Sequence, residues 1–547
     1  MSNDASRLII FIILSGIILF VYNLLFPVKP NTASVTPGQT MTTTVIQSAA
    51  VTPASPSISA VDKQQKLSTI TEKTYVVEND LVKVSFSSIG AVLRSYELKK
   101  YSDSKDENKK TNLELIPSKT ANTYMALYLK DFPINKDQWI YVSTERKNGT
   151  TKISFKYDKI KNVEITKEYT LNDDSYVLNL NITFKNKTKS PVILRDMNLS
   201  WGPNIHYLPA DVNKNKDSFR PYCKIAYPLK NNSIKQYQIN LNAKSDKITL
   251  LDTIPPWIAL RDSYFMTAFI PENVSDIKNV SYSELAGGFT YLTLGLNDVL
   301  LEQNSSVSIK INSFTGPQEY KRLKKLNMQN VIDMGWFRFL GIWMFYAMDI
   351  LYAITKNYGM AILLLTLIVR LILWIPSQQS YKQMKDTQSK MKIINPRLET
   401  LKKIYKDDPQ KLNEEMLKLY KEYKINPLGG CLPMLFQLPI FVALYQTLIS
   451  MVELKGASFM WWLKDLSRPD PFYILPIFMG VTTIIQQKMS QTTNVSTENM
   501  TQQKILMYGM PIFLTVLALS WPSGLLLYWG MSNVLAIAQQ MLVNKTK

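Results

Sequence analysis

Histidine and cysteine are almost absent from this chain, and their scarcity argues against several classes of function. Among 547 residues there are one histidine, His206, and two cysteines, Cys223 and Cys431. Histidine is the side chain best suited to acid-base work near neutral pH and the commonest metal ligand, so histidine-based catalysis and histidine metal sites are nearly excluded. The cysteines fall in what we interpret as a soluble domain and a membrane helix, which argues against a disulfide between them.

Signals for nucleotides and nucleic acids are also missing. The sequence has no Gly-rich loop ending in Lys-Ser or Lys-Thr, the pattern that cradles nucleotide phosphates. The net charge is +20, but the basic residues are spread along the chain and form no compact motif interleaved with aromatic residues. We therefore predict no metal site and no nucleic-acid partner.

What is present is an uneven distribution of apolar residues, which predicts a polytopic α-helical membrane protein with a separate polar domain. Hydrophobic residues make up 46% of the chain, yet the mean hydropathy is only −0.07. Residues 1–26 include a largely apolar run long enough to cross a bilayer and are interpreted as an N-terminal anchor. Residues 27–66, rich in Pro, Thr, Ser and Ala without periodicity, are interpreted as a disordered linker.

Residues 67–318 alternate apolar and polar side chains, as strands with one buried face do. The alternation is clearest in three runs: Tyr176, Leu178, Leu180, Ile182 and Phe184; Ile153, Phe155 and Tyr157; and Val307, Ile309 and Ile311. Turn-forming residues separate these runs. The pattern predicts one large β-sandwich domain.

Residues 319–356 are predicted to connect this domain to the membrane. The first part is basic and helical, and residues 334–352 are rich in aromatic rings but interrupted by Arg338 and Asp349. This composition favours an amphipathic helix in the membrane interface, with a further span as the alternative.

Residues 357–543 are predicted to form a core of five membrane-spanning helices, followed by a short tail at 544–547. The spans are expected at roughly 359–375, 428–452, 472–487, 505–520 and 524–542. Each contains or borders a proline, and bent helices of uneven length suit a site between them better than a uniform bundle.

Charge sets the orientation. Residues 377–427 hold 12 Lys and Arg against 7 Asp and Glu, and loops with such an excess of positive charge stay in the cytoplasm. The preceding span then runs from outside to inside, so the β domain is predicted outside and the N-terminus inside.

Within that loop, residues 380–425 are predicted to form a helical hairpin. Apolar residues recur at helical spacing in two segments separated by Asp408, which is placed to cap the second helix, and Pro409, which suits its first turn. The hairpin can pack on itself, dock a partner, or do both. The candidate docking residues are Met391, Leu398, Pro409 and Met416.

One arginine, Arg370, lies within the otherwise apolar run 360–375. A charge at mid-membrane costs roughly 2.5–3.5 kcal/mol on insertion scales, which makes function the default interpretation and snorkelling to the interface the alternative. Thr366 shares its helix face. Other spans supply polar side chains: Gln437, Gln446, Thr482, Thr483, Gln486, Gln487, Ser532, Asn533, Gln539 and Gln540. With no acid inside the spans, Arg370 is predicted to sit in a hydrated cavity or to await an anionic visitor.

These residues carry a family resemblance. The motifs are Thr366-Leu-Ile-Val-Arg370, Asn426-Pro-Leu-Gly-Gly-Cys-Leu-Pro433, Gln437-Leu-Pro-Ile-Phe441, Asp465-Leu466, Tyr473-Ile-Leu-Pro476, Gln502-Gln-Lys504 and Pro522-Ser-Gly-Leu-Leu-Leu-Tyr528. In this unbroken order, over residues 330–543, they resemble the YidC family of membrane protein insertases. The anchor, linker and β domain resemble the Gram-negative form of that family, the β domain more by architecture than by motif.

The resemblance implies a bacterial inner-membrane protein with a periplasmic β-supersandwich, a five-helix core and a cytoplasmic hairpin. It implies a hydrophilic groove in which Arg370 attracts the acidic segment of a client, while the client's apolar stretch slides along a face made by the helices that carry Thr366 and Tyr528–Trp529. The groove residues that it implies are Arg370, Thr366, Gln437, Tyr528, Trp529 and Ser532. Relatives often have two tyrosines where this chain has Tyr528 and Trp529, so the second contact should offer a ring without a phenol.

Nascent membrane proteins, the lipid bilayer and the Sec translocon are the partners that the resemblance implies. It also leads us to expect no cofactor and no enzymatic activity. Ribosome docking is expected to be weaker, because a long basic tail is absent after Val543. Two alternatives remain: a small-anion transporter with Arg370 as counter-ion, although no duplicated halves are visible, and an envelope carbohydrate enzyme built on the β domain, although no motif identifies a carboxylate pair.

Overall fold

The computed structural model describes residues 71–102, 111–117, 123–130, 132–207, 223–240, 243–406, 408–425, 432–490 and 508–545. These residues all belong to one compact unit, Thr69–Lys547. The predicted anchor at 1–26, the linker at 27–66, Cys431 and the last two residues of the tail lie outside the described residues.

Antiparallel strands account for most of the structure up to residue 317. They are β1 Thr74–Glu78, β2 Val82–Ser87, β3 Leu93–Ser102, β4 Asn112–Glu114, β5 Ala126–Leu129, β6 Ile140–Lys147, β7 Thr150–Tyr157, β8 Val163–Asn172, β9 Val177–Asn186, β10 Val192–Leu194, β11 Met197–Trp201, β12 Lys224–Pro228, β13 Ile234–Gln238, β14 Lys247–Leu250, β15 Ile258–Arg261, β16 Phe265–Pro271, β17 Ile277–Leu285, β18 Phe289–Leu296, β19 Val299–Leu301 and β20 Ser306–Pro317.

The strands form two large sheets and two small ones. A nine-stranded sheet has the order β13-β12-β15-β16-β20-β9-β8-β7-β6, and a five-stranded sheet has the order β14-β17-β18-β11-β5. A four-stranded sheet, β1 to β4, packs on the nine-stranded sheet, where Phe86 contacts Phe155 and Tyr169 at ring separations of 6.1 and 4.7 Å. β10 and β19 pair separately.

The period-two pattern corresponds to burial. In β9, Leu178, Leu180, Ile182 and Phe184 are buried, and the residues between them are more exposed. The same holds for Ile309 and Ile311 in β20, the neighbouring strand. Alternation with one buried face is what a strand in a layered β domain requires, so a large β-rich domain in this region is confirmed.

Helices make up most of the structure after residue 319. They are α1 Tyr320–Lys325, α2 Arg338–Thr355, α3 Tyr358–Ile372, α4 Trp374–Ile404, α5 Pro409–Glu422, α6 Leu432–Ser450, α7 Ile474–Ser490, α8 Met510–Ala518 and α9 Ser523–Lys545. Short 3-10 turns lie at Gln329–Val331 and Val452–Leu454.

A helix lies within or across each of the five predicted spans, but these helices differ from one another in length. Among the described residues, Ser523–Val543 in α9 is the one helix long and apolar enough to cross a bilayer alone. α3 and α4 meet that test together, with a bend of 63° between them. The number of spans and their orientation remain predictions.

The boundary between the first span and the hairpin differs from the sequence interpretation. The span was expected to continue to residue 375 and the hairpin to begin at 380, but α3 ends at Ile372 and α4 continues without a break through Pro376 to Ile404. Pro376 lies in the first turn of α4, where a helix needs no backbone N–H from it. The proline therefore begins the long hairpin helix instead of ending the span.

α2 has one buried and one exposed side. Met344, Phe345 and Met348 are buried, whereas Phe339 and Ile354 are more than 70% exposed. Its Asp349 forms an ion pair with Lys321 of α1. This distribution fits an amphipathic helix, and its place relative to a bilayer stays a prediction.

Candidate functional site

The candidate site is built on α3, whose start and end are both defined locally. The side chain of Asn357 caps the helix by accepting a hydrogen bond from the N–H of Met360 at 3.1 Å. Capping at this position satisfies a backbone donor that the helix leaves unpaired. Arg370 lies two residues before the end of α3, close to the bend into α4.

Arg370 is buried, with 7% of its surface exposed. Its Nε donates to Ser532 Oγ at 3.1 Å, and its Nη2 donates to the same oxygen at 2.7 Å and to Gln437 Oε1 at 3.0 Å. Gln437 Nε2 donates to Ser532 Oγ at 2.9 Å. These three residues, which we call the Arg370 cluster, join α3, α6 and α9.

The Arg370 cluster holds a positive charge without a negative one. In the described part of the chain, Arg370 forms no ion pair, and its partners are the hydroxyl of Ser532, the amide of Gln437 and the phenol of Tyr381. Of the five N–H donors of the guanidinium, two go to Ser532, one to Gln437 and one to Tyr381. The site therefore retains its positive charge and one N–H donor for an anionic group.

The other groove candidates lie near the cluster in different roles. Thr366 is buried one turn before Arg370, but its hydroxyl donates to the carbonyl of Ile362 at 2.7 Å and not to the cluster. The buried Tyr528 hydrogen-bonds to Ser532 through its phenol. Thr366 lies on α3, and Tyr528 and Ser532 lie on α9, so these groove candidates lie on two of the helices that the Arg370 cluster joins.

Among the residues that the structure describes, Trp529 makes ring contacts and no hydrogen bond to the Arg370 cluster. Its ring contacts Phe441 of α6 edge-on at 4.7 Å and Trp521 at 5.7 Å. It is therefore part of an aromatic contact between α9 and α6, a role in which a ring suffices and a phenol is not needed.

Tyr381 was not singled out in the sequence as a site residue. It is buried in α4, packs with Met384 and Val543, and interacts with Arg370 and with Gln486 of α7. No signal in the sequence indicates this contact, because Tyr381 follows Arg370 by 11 residues, which is about 16 Å along a straight helix. The two residues lie on either side of the 63° bend between α3 and α4.

The candidate docking residues lie in the hairpin of α4 and α5. Leu398 belongs to a buried cluster with Ile394, Leu419 and Ile425, and Met391 and Met416 pack against it. α5 begins at Pro409, and the Asp408 side chain caps it by accepting from the N–H of Lys411 at 3.1 Å. The apolar residues thus hold the two helices together, and their role in docking a partner stays a prediction.

The single histidine has a local partner in the β domain. His206 Nδ1 lies 2.9 Å from Asp262 Oδ2, and Asp262 Oδ1 accepts from the backbone N–H groups of Tyr264 and Phe265. Burial raises the pKa of the Cys223 thiol well above its usual value. Within the described residues, no group of three or more His, Cys, Asp or Glu is placed to hold a metal ion.

Two family models match the chain. The model described as the YidC periplasmic domain matches residues 74–347, and the model described as the 60Kd inner membrane protein matches residues 350–547. The boundary between the two matches lies within α2.

Curated relatives match over most of their length. A protein named membrane protein insertase YidC from Syntrophus aciditrophicus is 29% identical over 98% of this chain and 98% of its own. One of the same name from Syntrophobacter fumaroxidans is 31% identical over 86% of both chains. Among solved structures, an active YidC insertase crystal structure with the first transmembrane domain resolved aligns with 86% of this chain and 92% of its own, at 20% identity and a TM-score of 0.36.

Proposed function

Because this chain belongs to the YidC family of membrane protein insertases, we propose that it inserts nascent membrane proteins into the bacterial inner membrane and helps them fold. We propose that the Arg370 cluster is the polar site of an intramembrane groove and attracts the acidic segment of a client. The observation that carries this proposal is a buried guanidinium with only neutral partners among the described residues.

Electrostatics supports this role. A charge in a low-dielectric setting attracts an opposite charge more strongly than it does in bulk water. A built-in carboxylate would neutralise Arg370 and weaken that attraction, whereas Ser532 and Gln437 supply dipoles and leave the net charge in place. A client carboxylate entering the site would gain a partner for the part of its path where desolvation costs most.

We propose a polytopic arrangement with the β domain in the periplasm and the hairpin of α4 and α5 in the cytoplasm. Hydrophobic partition of the client supplies the driving force, aided by the membrane potential, worth about 2.3 kcal/mol per charge per 100 mV. Cooperation with the Sec translocon and a weak contact with the ribosome remain predictions of the family resemblance.

Replacing Arg370 tests the proposal. Insertion of a single-span client with an acidic leader is followed in cells that depend on this protein, with Arg370→Ala and Arg370→Lys compared. The alanine variant should insert this client poorly, and the lysine variant should retain more activity because it keeps the charge while losing the fork of donors. Normal insertion by Arg370→Ala contradicts the charge mechanism for that client. A matched client with a neutral leader separates this effect from a general loss of the protein.

A further inference from the structure

α9 carries two adjacent pairs of buried polar residues, one helical heptad apart. The pairs are Ser532 with Asn533 and Gln539 with Gln540, and all four side chains are at most 4% exposed. Neighbouring residues on a helix point about 100° apart, whereas residues seven apart share a face. The first member of each pair therefore faces one side of α9 and the second member faces another.

The two faces contact different helices. Ser532 binds Arg370 of α3, and Gln539 Nε2 donates to the carbonyl of Trp374 at the start of α4 at 2.9 Å. On the other face, Gln540 Nε2 donates to the carbonyl of Met489 in α7 at 2.9 Å. α9 is thus hydrogen-bonded on one side to the helices that carry the arginine and on the other to α7.

Asn533 makes the second contact with α7, level with the Arg370 cluster. Its Nδ2 donates to Thr482 Oγ1 at 3.1 Å and to Thr483 Oγ1 at 2.9 Å. Both hydroxyls in turn donate to the carbonyl of Met479 in their own helix, at 2.9 and 2.7 Å. The hydroxyl protons are engaged within α7, so the threonine oxygens are free to accept from the asparagine amide.

This arrangement fixes the rotation of α9 about its own axis. A buried amide without partners is costly in an apolar setting, so turning α9 away from α7 is opposed by the loss of both hydrogen bonds. Since Ser532 directly precedes Asn533 on α9, the same rotation would move Ser532 Oγ away from Arg370. The contact between Asn533 and the two threonines, together with that of Gln540, therefore opposes a rotation that would disturb a site to which Asn533 does not itself bond.

We propose that Asn533 is a positioning residue for Arg370: through Thr482 and Thr483 it holds Ser532 on the guanidinium and so keeps the charge aimed into the groove. The inference rests on the proposed function, because it assigns Asn533 to the same site and the same client chemistry. It predicts a defect confined to clients whose translocated segment carries negative charge.

The test compares an acidic-leader client with a matched client in which the acidic residues are replaced by Asn and Gln. Asn533→Leu, close in volume, should slow insertion of the acidic client about fivefold and change insertion of the neutral client less than twofold. The double variant Thr482→Val with Thr483→Val removes the same contact from α7 and should give the same selective defect. Val534→Ala, at a 37% exposed position of α9, is the control and should insert both clients normally.

Combining variants separates the positioning role from a purely structural one. In an Arg370→Ala background, Asn533→Leu should cause no further loss for the acidic client, because the group that it positions is gone. The positioning role alone is overturned if a variant slows insertion of both clients equally. It is also overturned if neither the Asn533 variant nor the threonine variant shows a defect. Normal insertion of the acidic client by Arg370→Ala overturns the charge mechanism and the positioning role with it. The amount of each variant in the membrane, measured by immunoblot, normalises every rate.

Discussion

Arg370 is held by neutral oxygens, and the identity of those partners decides whether its charge is available. Gln437 Oε1 accepts from Arg370 Nη2 at 3.0 Å, so Gln437→Glu would place a carboxylate at that position with almost no change in shape. The resulting ion pair would satisfy the guanidinium internally and compete with an acidic client. We expect Gln437→Glu to reduce insertion of an acidic-leader client about tenfold, and Gln437→Leu to reduce it less, because leucine leaves the charge unpaired.

Pulse labelling of the client, followed by protease protection of its translocated leader, measures the rate of insertion by each Gln437 variant. The neutral-leader client is the control and should be affected equally little by the two variants. If Gln437→Glu inserts the acidic client as well as the natural protein does, the unpaired charge is not what the client recognises.

Lys167 is another buried cation, placed in the β domain and held by backbone carbonyls and by the ring of Trp139, whose centroid lies 5.3 Å from Nζ. Its Nζ donates to the carbonyls of Gly90, Ala91 and Met125 at 3.1, 3.3 and 3.0 Å. Lys167→Met leaves these carbonyls without that donor. The carbonyl of Ala91 keeps the Tyr169 hydroxyl as a donor at 2.7 Å, so two carbonyls lose their partner. An unsatisfied buried group costs about 1–3 kcal/mol, so the β domain should lose at least about 2 kcal/mol of unfolding free energy.

The same lysine predicts a dependence on pH. Burial lowers the pKa of Lys167 from 10.5 to about 7, so between these values the unfolded chain binds more protons than the folded one. The contribution of Lys167 to the free energy of unfolding is therefore fully present above pH 10.5. It decreases as the pH falls from 10.5 and is lost once the pH has fallen through about 7. Thermal unfolding of the full chain in detergent, followed by β-sheet circular dichroism, should show the gap between the natural protein and Lys167→Met widening from pH 7 to pH 9. Lys152→Met, at a 44% exposed side chain, should show no such trend.

At the scale of the element, the hairpin of α4 and α5 owes its stability to a small apolar contact. Leu398 is 7% exposed in a cluster with Ile394, Leu419 and Ile425. Leu398→Ala removes three buried carbons and should destabilise the hairpin by about 2–5 kcal/mol, the usual cost of such a cavity. Ile393→Ala is the matched control, because Ile393 is the neighbour of Ile394 on the same helix but is 65% exposed.

Hydrogen exchange of the backbone amides in α4 and α5 measures how far each variant destabilises the hairpin. Leu398→Ala should increase exchange in both helices, since the cluster joins them, whereas Ile393→Ala should leave exchange unchanged. An increase confined to α4 would mean that the two helices do not stabilise each other.

Sequence patterns predicted elements well where one local rule decides the outcome. Period-two alternation located β9 through residues such as Ile182, and the pair Asp408 and Pro409 marked the first turn of α5. The end of the first span was placed at residue 375 instead of Ile372, because a proline is tolerated in the first turn of a helix as readily as it ends one.

The candidate site was predicted in part, for a related reason. Arg370 and Ser532 were identifiable as polar residues in apolar runs, and the structure joins them. The roles of Tyr381 and Asn533 depend on which faces of separate helices meet. No pattern within a single helix contains that information, so these two residues required the packing of α9 against α4 and α7.

At the scale of the whole molecule, the predicted orientation depends on where the positive charge lies. The segment 377–427, with 12 Lys and Arg against 7 Asp and Glu, contains most of α4 and all of α5, whereas the β domain ends before α1. A loop rich in positive charge is retained on the cytoplasmic side during insertion. The hairpin and the β domain should therefore lie on opposite sides of the membrane.

Limited proteolysis checks on which side of the membrane the β domain and the hairpin lie, because each of them exposes a lysine, one at a turn and the other at the start of a helix. Lys147 lies at the exposed turn between β6 and β7, and Lys411 lies in the first turn of α5. Trypsin added to intact spheroplasts should cleave the β domain, at sites such as Lys147, and spare Lys411. After permeabilisation, which serves as the control for accessibility, Lys411 should be cleaved as well. Cleavage of the hairpin with protection of the β domain in intact spheroplasts would reverse the orientation, and the client's acidic segment would then have to approach Arg370 from the opposite side of the membrane.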